Sequence, residues 1–234
     1  MSTFKILDGA MGSELIRWGM ELPEHIWSAA ANLTSPELVL EIHREYVEAG
    51  ADYITANTFR TTPRTFGKID GLVTECSSQV LPRDVEVNKK ETVIKSRESL
   101  FTAVELAKEV ASNSVKVLGS IASLEDCYSP ELFPGKNTAI TEFRQLGGWL
   151  SDAGVDILLL ETMNSIAEAE AGLIALQSFE LPIWVSFVMK NDEHLVSGDL
   201  LLDALTLLQD HSVTTVLSNC NPWQRTGQAM ILLT

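Results

Sequence analysis

Four polar residues stand at the ends of apolar segments, where a chemically active side chain would be held against a buried wall. They are Asp8, Asn57, Glu161 and Cys220. Glu161 directly follows the apolar residues 157–160, and a carboxylate in that position loses hydration unless another group pairs with it. The position indicates a functional carboxylate more strongly than a solvated surface charge.

The other three residues also have ordinary structural explanations. Asp8 precedes a glycine, and Asp in that context often bonds its own turn. Asn57 can tie down a loop through side-chain hydrogen bonds, and a single cysteine such as Cys220 often packs as a small buried hydrophobe. The residues alone leave both interpretations open, and we keep Asn57 beside Asp8 as a candidate binding residue.

Six short apolar segments predict the strands that would position these residues. They cover 4–8, 52–58, 115–122, 156–162, 183–189 and 214–220, and most are continuous in Val, Ile and Leu, as expected for strands covered on both faces. Segments of helical period separate them. This alternation favours parallel strands joined by crossover helices, whose carboxyl ends share one rim. We expect the four polar residues to lie on that rim.

An internal repeat indicates that one architecture is used more than once. Residues 48–58 (EAGADYITANT) echo residues 152–162 (DAGVDILLLET), with Ala, Gly, Asp and Thr in register. Each copy is typical of a helix end, a glycine at positive φ and a buried strand. Two helix starts are also marked, by Ser35 before a proline and by Ser165 three residues before Glu168, a reciprocal capping pattern.

These elements predict an α/β protein, a (β/α)8 TIM-type barrel with about six of the eight β/α units in the chain. We expect one domain over residues 1–234. The competing fold is an open doubly wound sheet, which binds nucleotides at a first turn with three spaced glycines, and residues 8–13 (DGAMGS) lack that spacing. Residues 63–94 predict no strand.

Composition limits the kinds of partner. The chain has 32 acidic and 17 basic residues and a net charge of −15, so nucleic acid and anionic membrane surfaces would be repelled. A secretory signal and a bilayer-spanning apolar run are both missing from the sequence, which predicts a cytoplasmic location. The three cysteines, Cys76, Cys127 and Cys220, are an odd and sparse set that favours reduced thiols.

Four motifs taken together resemble the homocysteine S-methyltransferase family. They are residues 6–15 (ILDGAMGSEL), 49–59 (AGADYITANTF), 159–162 (LLET) and 218–220 (SNC), in the order and spacing typical of that family. The resemblance covers nearly the whole chain and is weakest over 63–94. Four motifs in register are more specific than any one of them.

The resemblance implies a barrel enzyme that transfers a methyl group from a small donor to the thiol of homocysteine, giving methionine. It also implies a zinc ion, which would hold that thiol as the nucleophilic thiolate. By matched motif, Cys220 would be a zinc ligand and catalytic residue, and Asp8 and Glu161 would bind the α-ammonium group. The turn at Gly9 and Ala10 would offer backbone N–H groups to the substrate carboxylate.

The sequence departs from the family pattern in its metal ligands. The family's other two zinc cysteines form an adjacent pair near the carboxyl terminus, which this chain lacks, and nothing in the spacing of Cys127 marks it as a substitute. We therefore expect an incomplete zinc site and missing C-terminal β/α units. The alternative function is an inactive barrel remnant that binds an amino acid or a partner chain. The sequence leaves open the donor (S-methylmethionine, S-adenosylmethionine or a betaine-like compound) and a homo-oligomeric state.

Overall fold

The computed structural model describes residues 4–74, 82–111, 114–222 and 224, with the backbone alone described at 69–74 and 82–88. The described residues belong to two compact units. The amino-terminal unit comprises Met1–Gly119 and Asp152–Asp156, and the carboxy-terminal unit comprises Ser120–Ser151 and Ile157–Thr234. The single domain over 1–234 stays a prediction. No helix of the described residues is long and apolar enough to span a membrane.

The amino-terminal unit contains mostly helices. Its elements are α1 (Met11–Arg17), a 3-10 turn (Trp27–Ala30), α2 (Ala31–Thr34), α3 (Pro36–Glu48), β1 (Tyr53–Ala56), α4 (Pro63–Thr74), α5 (Pro82–Val110) and the first residues of β2 (Lys116–Ala122). Strands β1 and β2 pair in parallel, from Tyr53 opposite Lys116 to Ala56 opposite Gly119. The helical stripe of α5 is buried as its period predicts, at Leu100, Ala103, Val104 and Ala107.

The carboxy-terminal unit alternates strands and helices. It contains the rest of β2, a 3-10 turn at Pro130–Leu132 and most of α6 (Lys136–Ala153). These are followed by β3 (Ile157–Met163), α7 (Ile166–Leu176), β4 (Ile183–Phe187), α8 (Leu201–Asp210) and β5 (Thr215–Ser218). Strands β3, β4 and β5 are parallel neighbours in chain order. Parallel neighbours in chain order with a helix between each pair are the repeating unit of a barrel.

Five of the six predicted strands are confirmed, and the first is much shorter than predicted. Residues 4–8 form only one parallel bridge, between Leu7 and Tyr53, and the N–H of Asp8 donates to the carbonyl of Tyr53 at 3.0 Å. Phe4 and Ile6 are exposed, so this segment has no second face to bury. The described part of 63–94 is helical, as expected from the lack of a strand pattern there.

The two predicted helix caps have different outcomes. The hydroxyl of Ser165 accepts a hydrogen bond from the N–H of Glu168 at 3.3 Å, as predicted. One oxygen of the Glu168 carboxylate accepts from the N–H of Leu124 at 2.8 Å, and the reciprocal half of the cap stays a prediction. The capping predicted for Ser35 is wrong, since its side chain makes no cap bond at the start of α3.

The first copy of the sequence repeat fixes the start of β1. Gly50 ends the preceding helix with φ at 101°. The Asp52 carboxylate accepts from the N–H of Ile6 at 2.9 Å and from the Lys5 ammonium at 2.6 Å. The hydrogen bond from Lys5 lowers the pKa of Asp52 below its ordinary value. This aspartate ties the start of its strand to the preceding extended segment.

The second copy has the same geometry. Gly154 has φ at 80°, and the Asp156 carboxylate accepts from the N–H of Val117 at 2.9 Å and from the Lys116 ammonium at 2.7 Å. Desolvation is the largest influence on the pKa of Asp156 and raises it, but the bonds from Lys116 and Val117 together lower it below its ordinary value. The repeat is therefore a structural device that sets strand register.

If Asp156 sets register, its neutral analogue should be less stable. Asp156→Asn replaces a charge-assisted acceptor, and we expect a loss of about 1 kcal/mol, or roughly 2–4 °C in melting temperature. Thermal unfolding followed by circular dichroism measures the difference. Asp152→Asn, the same change at an exposed position before Gly154, is the matched control and should leave the melting temperature unchanged.

One histidine is buried in the amino-terminal unit without a hydrogen-bond partner. His43 on α3 is 0% exposed, and among the described residues neither ring nitrogen has a partner. Burial lowers its pKa from 6.5 to about 4. Charging this ring in the folded chain would cost more than charging it in the unfolded chain.

We expect His43 to make stability fall with pH between about 6.5 and about 4. Above this window both states are neutral at His43, whereas within it the unfolded chain binds a proton that the folded chain does not. The total loss is about 3 kcal/mol. Urea unfolding at a series of pH values measures it, and His43→Leu should flatten this part of the profile. An equal flattening by His211→Leu, at a half-buried position after α8, would contradict the assignment to His43.

Candidate functional site

Asp8 bonds the neighbouring strand β1. Its carboxylate accepts from the N–H of Thr55 at 2.7 Å and from the Thr55 hydroxyl at 3.0 Å. The residue is half-buried. The two bonds to Thr55 hold this side chain at a fixed place beside β1.

Asn57 belongs to a buried amide network in the amino-terminal unit. Its side-chain N–H group donates to the carbonyl of Ser28 and to the Asn32 side chain, both at 2.8 Å. The Asn32 amide donates in turn to the backbone carbonyl of Asn57 at 2.9 Å and to the Ser99 hydroxyl at 3.0 Å. These bonds connect the end of β1 to the 3-10 turn, α2 and α5. The loop-anchoring alternative therefore accounts for the contacts of Asn57.

Position 9, in the turn after Asp8, requires a glycine because the ring of Tyr46 packs against it. A Cβ atom on Gly9 would lie 2.5 Å from the hydroxyl oxygen of Tyr46. Ala10 is the N-cap of α1, and its carbonyl accepts from Glu14. Desolvation first, and then the negative charges of Glu14 and Asp8, raise the pKa of Tyr46 to about 12, so this hydroxyl stays protonated.

Glu161 lies near the end of β3, in a strand whose other residues are buried. Its carboxylate accepts hydrogen bonds from the Ser120 hydroxyl and, at 3.0 Å, from the Asn219 amide. Desolvation raises the pKa of Glu161, and the two hydrogen bonds oppose that shift. No lysine or arginine in the described part of the chain forms an ion pair with Glu161. The carboxylate therefore has neutral donors and no opposite charge.

Asn219 connects Glu161 to Cys220. Its amide N–H group also donates to the Thr162 hydroxyl at 2.8 Å and lies 3.7 Å from the Cys220 sulfur. Its amide oxygen accepts from the Ser186 hydroxyl on β4 at 2.8 Å. One side chain thus joins the ends of β3, β4 and β5.

Two residues of this cluster have left-handed backbone conformations. Thr162 has φ at 59° and Cys220 has φ at 53°. For a β-branched residue this conformation is strained, and it persists only where surrounding contacts enforce it. The Ser123 hydroxyl donates to the carbonyl of Thr162 at 2.7 Å and supplies one of these contacts.

The thiol of Cys220 is at the surface of the cluster. Cys220 is exposed, whereas Cys127 is buried, and both are free; Cys76 lies outside the described residues. Neighbouring protein atoms still desolvate the Cys220 sulfur, and this effect, followed by the negative charge of Glu161, raises the pKa of the thiol. The Tyr128 hydroxyl donates to the backbone carbonyl of Cys220 at 3.5 Å.

The structure thus brings Glu161 and Cys220 into one hydrogen-bonded cluster, and it places Asp8 and Asn57 in separate networks of the amino-terminal unit. Sequence reasoning missed Ser120 and Tyr128, which carry no motif. Asn219 entered the sequence predictions only as the central residue of the SNC motif, without a role of its own.

The described residues offer few metal donors near Cys220. In the described ranges no group of three His, Cys, Asp or Glu residues could hold a metal ion. Cys220 is one thiolate donor, while a catalytic zinc site normally has three protein ligands. The described residues therefore do not complete a zinc site.

The chain is an α/β protein of the barrel class, because its parallel strands follow one another in chain order with helices between them. A carboxylate and a thiol at the strand ends form the candidate site. A model of the family described as homocysteine S-methyltransferase matches residues 5–232. The chain belongs to the homocysteine S-methyltransferase family.

Individual relatives agree with this assignment. Homocysteine S-methyltransferase 2 of Zea mays is 31% identical over 224 residues, which cover 93% of this chain and 66% of the relative. Homocysteine S-methyltransferase of Escherichia coli is 30% identical, with 96% of this chain and 72% of the relative covered. Selenocysteine methyltransferase of Astragalus bisulcatus is 27% identical, with 97% and 71% covered. The chain spans about two thirds of the length of these relatives.

A solved structure confirms the predicted fold class. The metallated form of the homocysteine methyltransferase MmuM from Escherichia coli matches with a TM-score of 0.81 and 27% identity, over 98% of this chain and 79% of that chain. The expected α/β barrel class is therefore correct.

The cluster predicts how the Cys220 thiol reacts. In the metal-free chain, iodoacetamide should modify Cys220 before the buried Cys127, and slowly at neutral pH because the thiol pKa is raised. Glu161→Gln removes a negative charge that raises this pKa, so the thiolate fraction and the rate at pH 8 should increase, by roughly 2- to 10-fold. Peptide mass spectrometry measures the rate at each cysteine. An unchanged or slower rate in Glu161→Gln would contradict the predicted coupling.

Proposed function

We propose that this chain binds homocysteine through the Glu161 carboxylate and transfers a methyl group to the substrate thiol. The observation that carries the proposal is the Glu161 carboxylate itself, which is desolvated, bonded by two neutral donors and next to a cluster that holds the thiol of Cys220. The family assignment supports the choice of substrate and reaction.

The physical reason is charge compensation. A carboxylate removed from water costs several kcal/mol unless an opposite charge or strong donors replace its hydration. Ser120 and Asn219 replace part of that hydration but supply no charge. The α-ammonium group of an amino acid supplies both a positive charge and hydrogen-bond donors, so it is the complementary ligand for this carboxylate.

The role of Cys220 as a zinc ligand remains a prediction from the family motif. The described residues supply one donor, so we derive no step of the reaction through a metal. Within the chain, the described residues bind the amino group at Glu161 and fix an exposed thiol in the same cluster. The binding roles of Asp8, Gly9, Ala10 and Asn57 likewise remain predictions, as does the identity of the methyl donor.

The same metal observation favours a second candidate function. A chain whose described residues provide one thiolate can bind the amino acid without turning it over. In that case Glu161 would keep its binding role and methionine would not form.

Isothermal titration of homocysteine tests the binding role of Glu161. Glu161→Gln keeps the size of the side chain, removes its charge and replaces one acceptor oxygen by an N–H donor, so homocysteine affinity should fall roughly 10- to 100-fold. Affinity should also decrease as pH falls through the raised pKa of Glu161, because the proton must leave before the ammonium group binds. Glu170→Gln, on α7 in an exposed ion pair with Lys136 of α6, is the matched control and should bind normally. Equal affinity of Glu161→Gln and the unsubstituted chain would sink the proposal.

Activity and metal content separate the two candidates. The unsubstituted chain is supplied with zinc, homocysteine and each of the three donor classes, and methionine is measured by mass spectrometry. Methionine formation with near-stoichiometric zinc that is lost in Cys220→Ser supports methyl transfer. A folded, metal-free chain that binds homocysteine but forms no methionine supports the binding function.

A further inference from the structure

We infer that Asn219 is a positioning residue, which holds the Glu161 carboxylate in the place where it receives the substrate ammonium group. This inference rests on the proposed function of Glu161. It adds a residue that acts through Glu161, and it assigns to Ser186 the task of orienting Asn219.

The hydrogen bonds determine which way the Asn219 amide points. Its N–H side faces acceptors, namely Glu161 Oε1 at 3.0 Å and Thr162 Oγ1 at 2.8 Å. Its oxygen faces a donor, the Ser186 hydroxyl, at 2.8 Å. A flipped amide would place its oxygen against the carboxylate of Glu161 and would lose these bonds. The orientation is therefore fixed by three side chains on two strands, β3 and β4.

The backbone around Asn219 adds to this constraint. The N–H of Asn219 donates to the carbonyl of Phe187 at 3.3 Å, which ties the residue to β4. Its side chain bonds Thr162, which has a left-handed backbone, and it directly precedes Cys220, which has the same conformation. Strained backbone conformations persist where several contacts enforce them. Asn219 supplies two such contacts, its side-chain bond to Thr162 and its backbone bond to Phe187.

Only an amide meets these requirements at position 219. A hydroxyl side chain is too short to reach partners on β3 and β4 together, and an apolar side chain leaves Glu161 without one of its two donors. A carboxylate would place a second negative charge beside Glu161. Loss of Asn219 therefore leaves the Glu161 carboxylate bonded by Ser120 alone and free to rotate away from the ammonium position.

The contribution of the substrate's α-amino group to affinity can be measured separately from that of the rest of the ligand. Homocysteine and 4-mercaptobutyrate differ only in the α-amino group, so the ratio of their affinities reports the ammonium contact. A general loss of structure weakens both ligands alike, whereas a displaced Glu161 weakens homocysteine selectively. We measure the ratio by isothermal titration at pH 8 with a reductant.

Three variants test the role of Asn219. Asn219→Ala should lower the homocysteine preference about tenfold. Ser186→Val should lower it in the same direction, while Ser186→Thr, which has the same shape but keeps the hydroxyl, should retain it. Asn221→Ala is the matched control: Asn221 bonds Ser218 and the N–H of Met189, and has no contact with Glu161, so the preference should be unchanged.

Three other outcomes would contradict the roles of Glu161, Asn219 and Ser186 separately. An unsubstituted chain that binds both ligands equally refutes the function of Glu161, and the inference falls with it. A chain that prefers homocysteine, with the same preference in Asn219→Ala, refutes the positioning role alone. Equal behaviour of Ser186→Val and Ser186→Thr refutes the orienting role of the Ser186 hydroxyl.

Discussion

The cluster at the end of β3 depends on a desolvated carboxylate that has hydrogen bonds but, among the described residues, no opposite charge. Glu161 is bonded by Ser120 and Asn219, both neutral, and its pKa is raised by burial. Such a group reduces the stability of the folded chain relative to an uncharged side chain of the same size. Folding alone gives no reason for a carboxylate here, whereas the proposed recognition of a cationic group does. The remaining contacts of the cluster are best understood as the support for that one side chain.

The support is rigid because it joins separate strands at their ends. Asn219 bonds residues of β3 and β4, and the left-handed conformations of Thr162 and Cys220 place two functional groups where regular strand geometry would not. The aspartates of the repeat act at the opposite, starting ends of β1 and β3, where they fix register. Different side chains thus set the strand register and the geometry at the carboxyl ends of the strands. Residues at the carboxyl ends are therefore available for a functional site, while residues at the amino ends stabilise the fold.

Local patterns predicted most elements because they depend on local physics. Continuous apolar runs gave five strands, and helical spacing gave the buried stripe of α5. One error occurred where a local pattern lacked a tertiary partner. Residues 4–8 have strand composition but no second face to bury. The hydroxyl of Ser35 makes no cap bond, and nothing in the structure explains why.

The sequence by itself determined the strand-helix alternation and the polar residue type at each strand end, since these follow from composition and spacing along the chain, and four motifs taken together carried the resemblance to the family. Only the tertiary structure decided the partners of those residues. Ser120 and Glu161 are 41 positions apart, and Asn219 and Glu161 are 58 apart, so no periodicity relates them. Hydrogen bonds between distant residues exist only after the strands have paired, and it is these bonds that distinguish Glu161, which has no counter-charge, from Asn57, whose amide is held within a buried network.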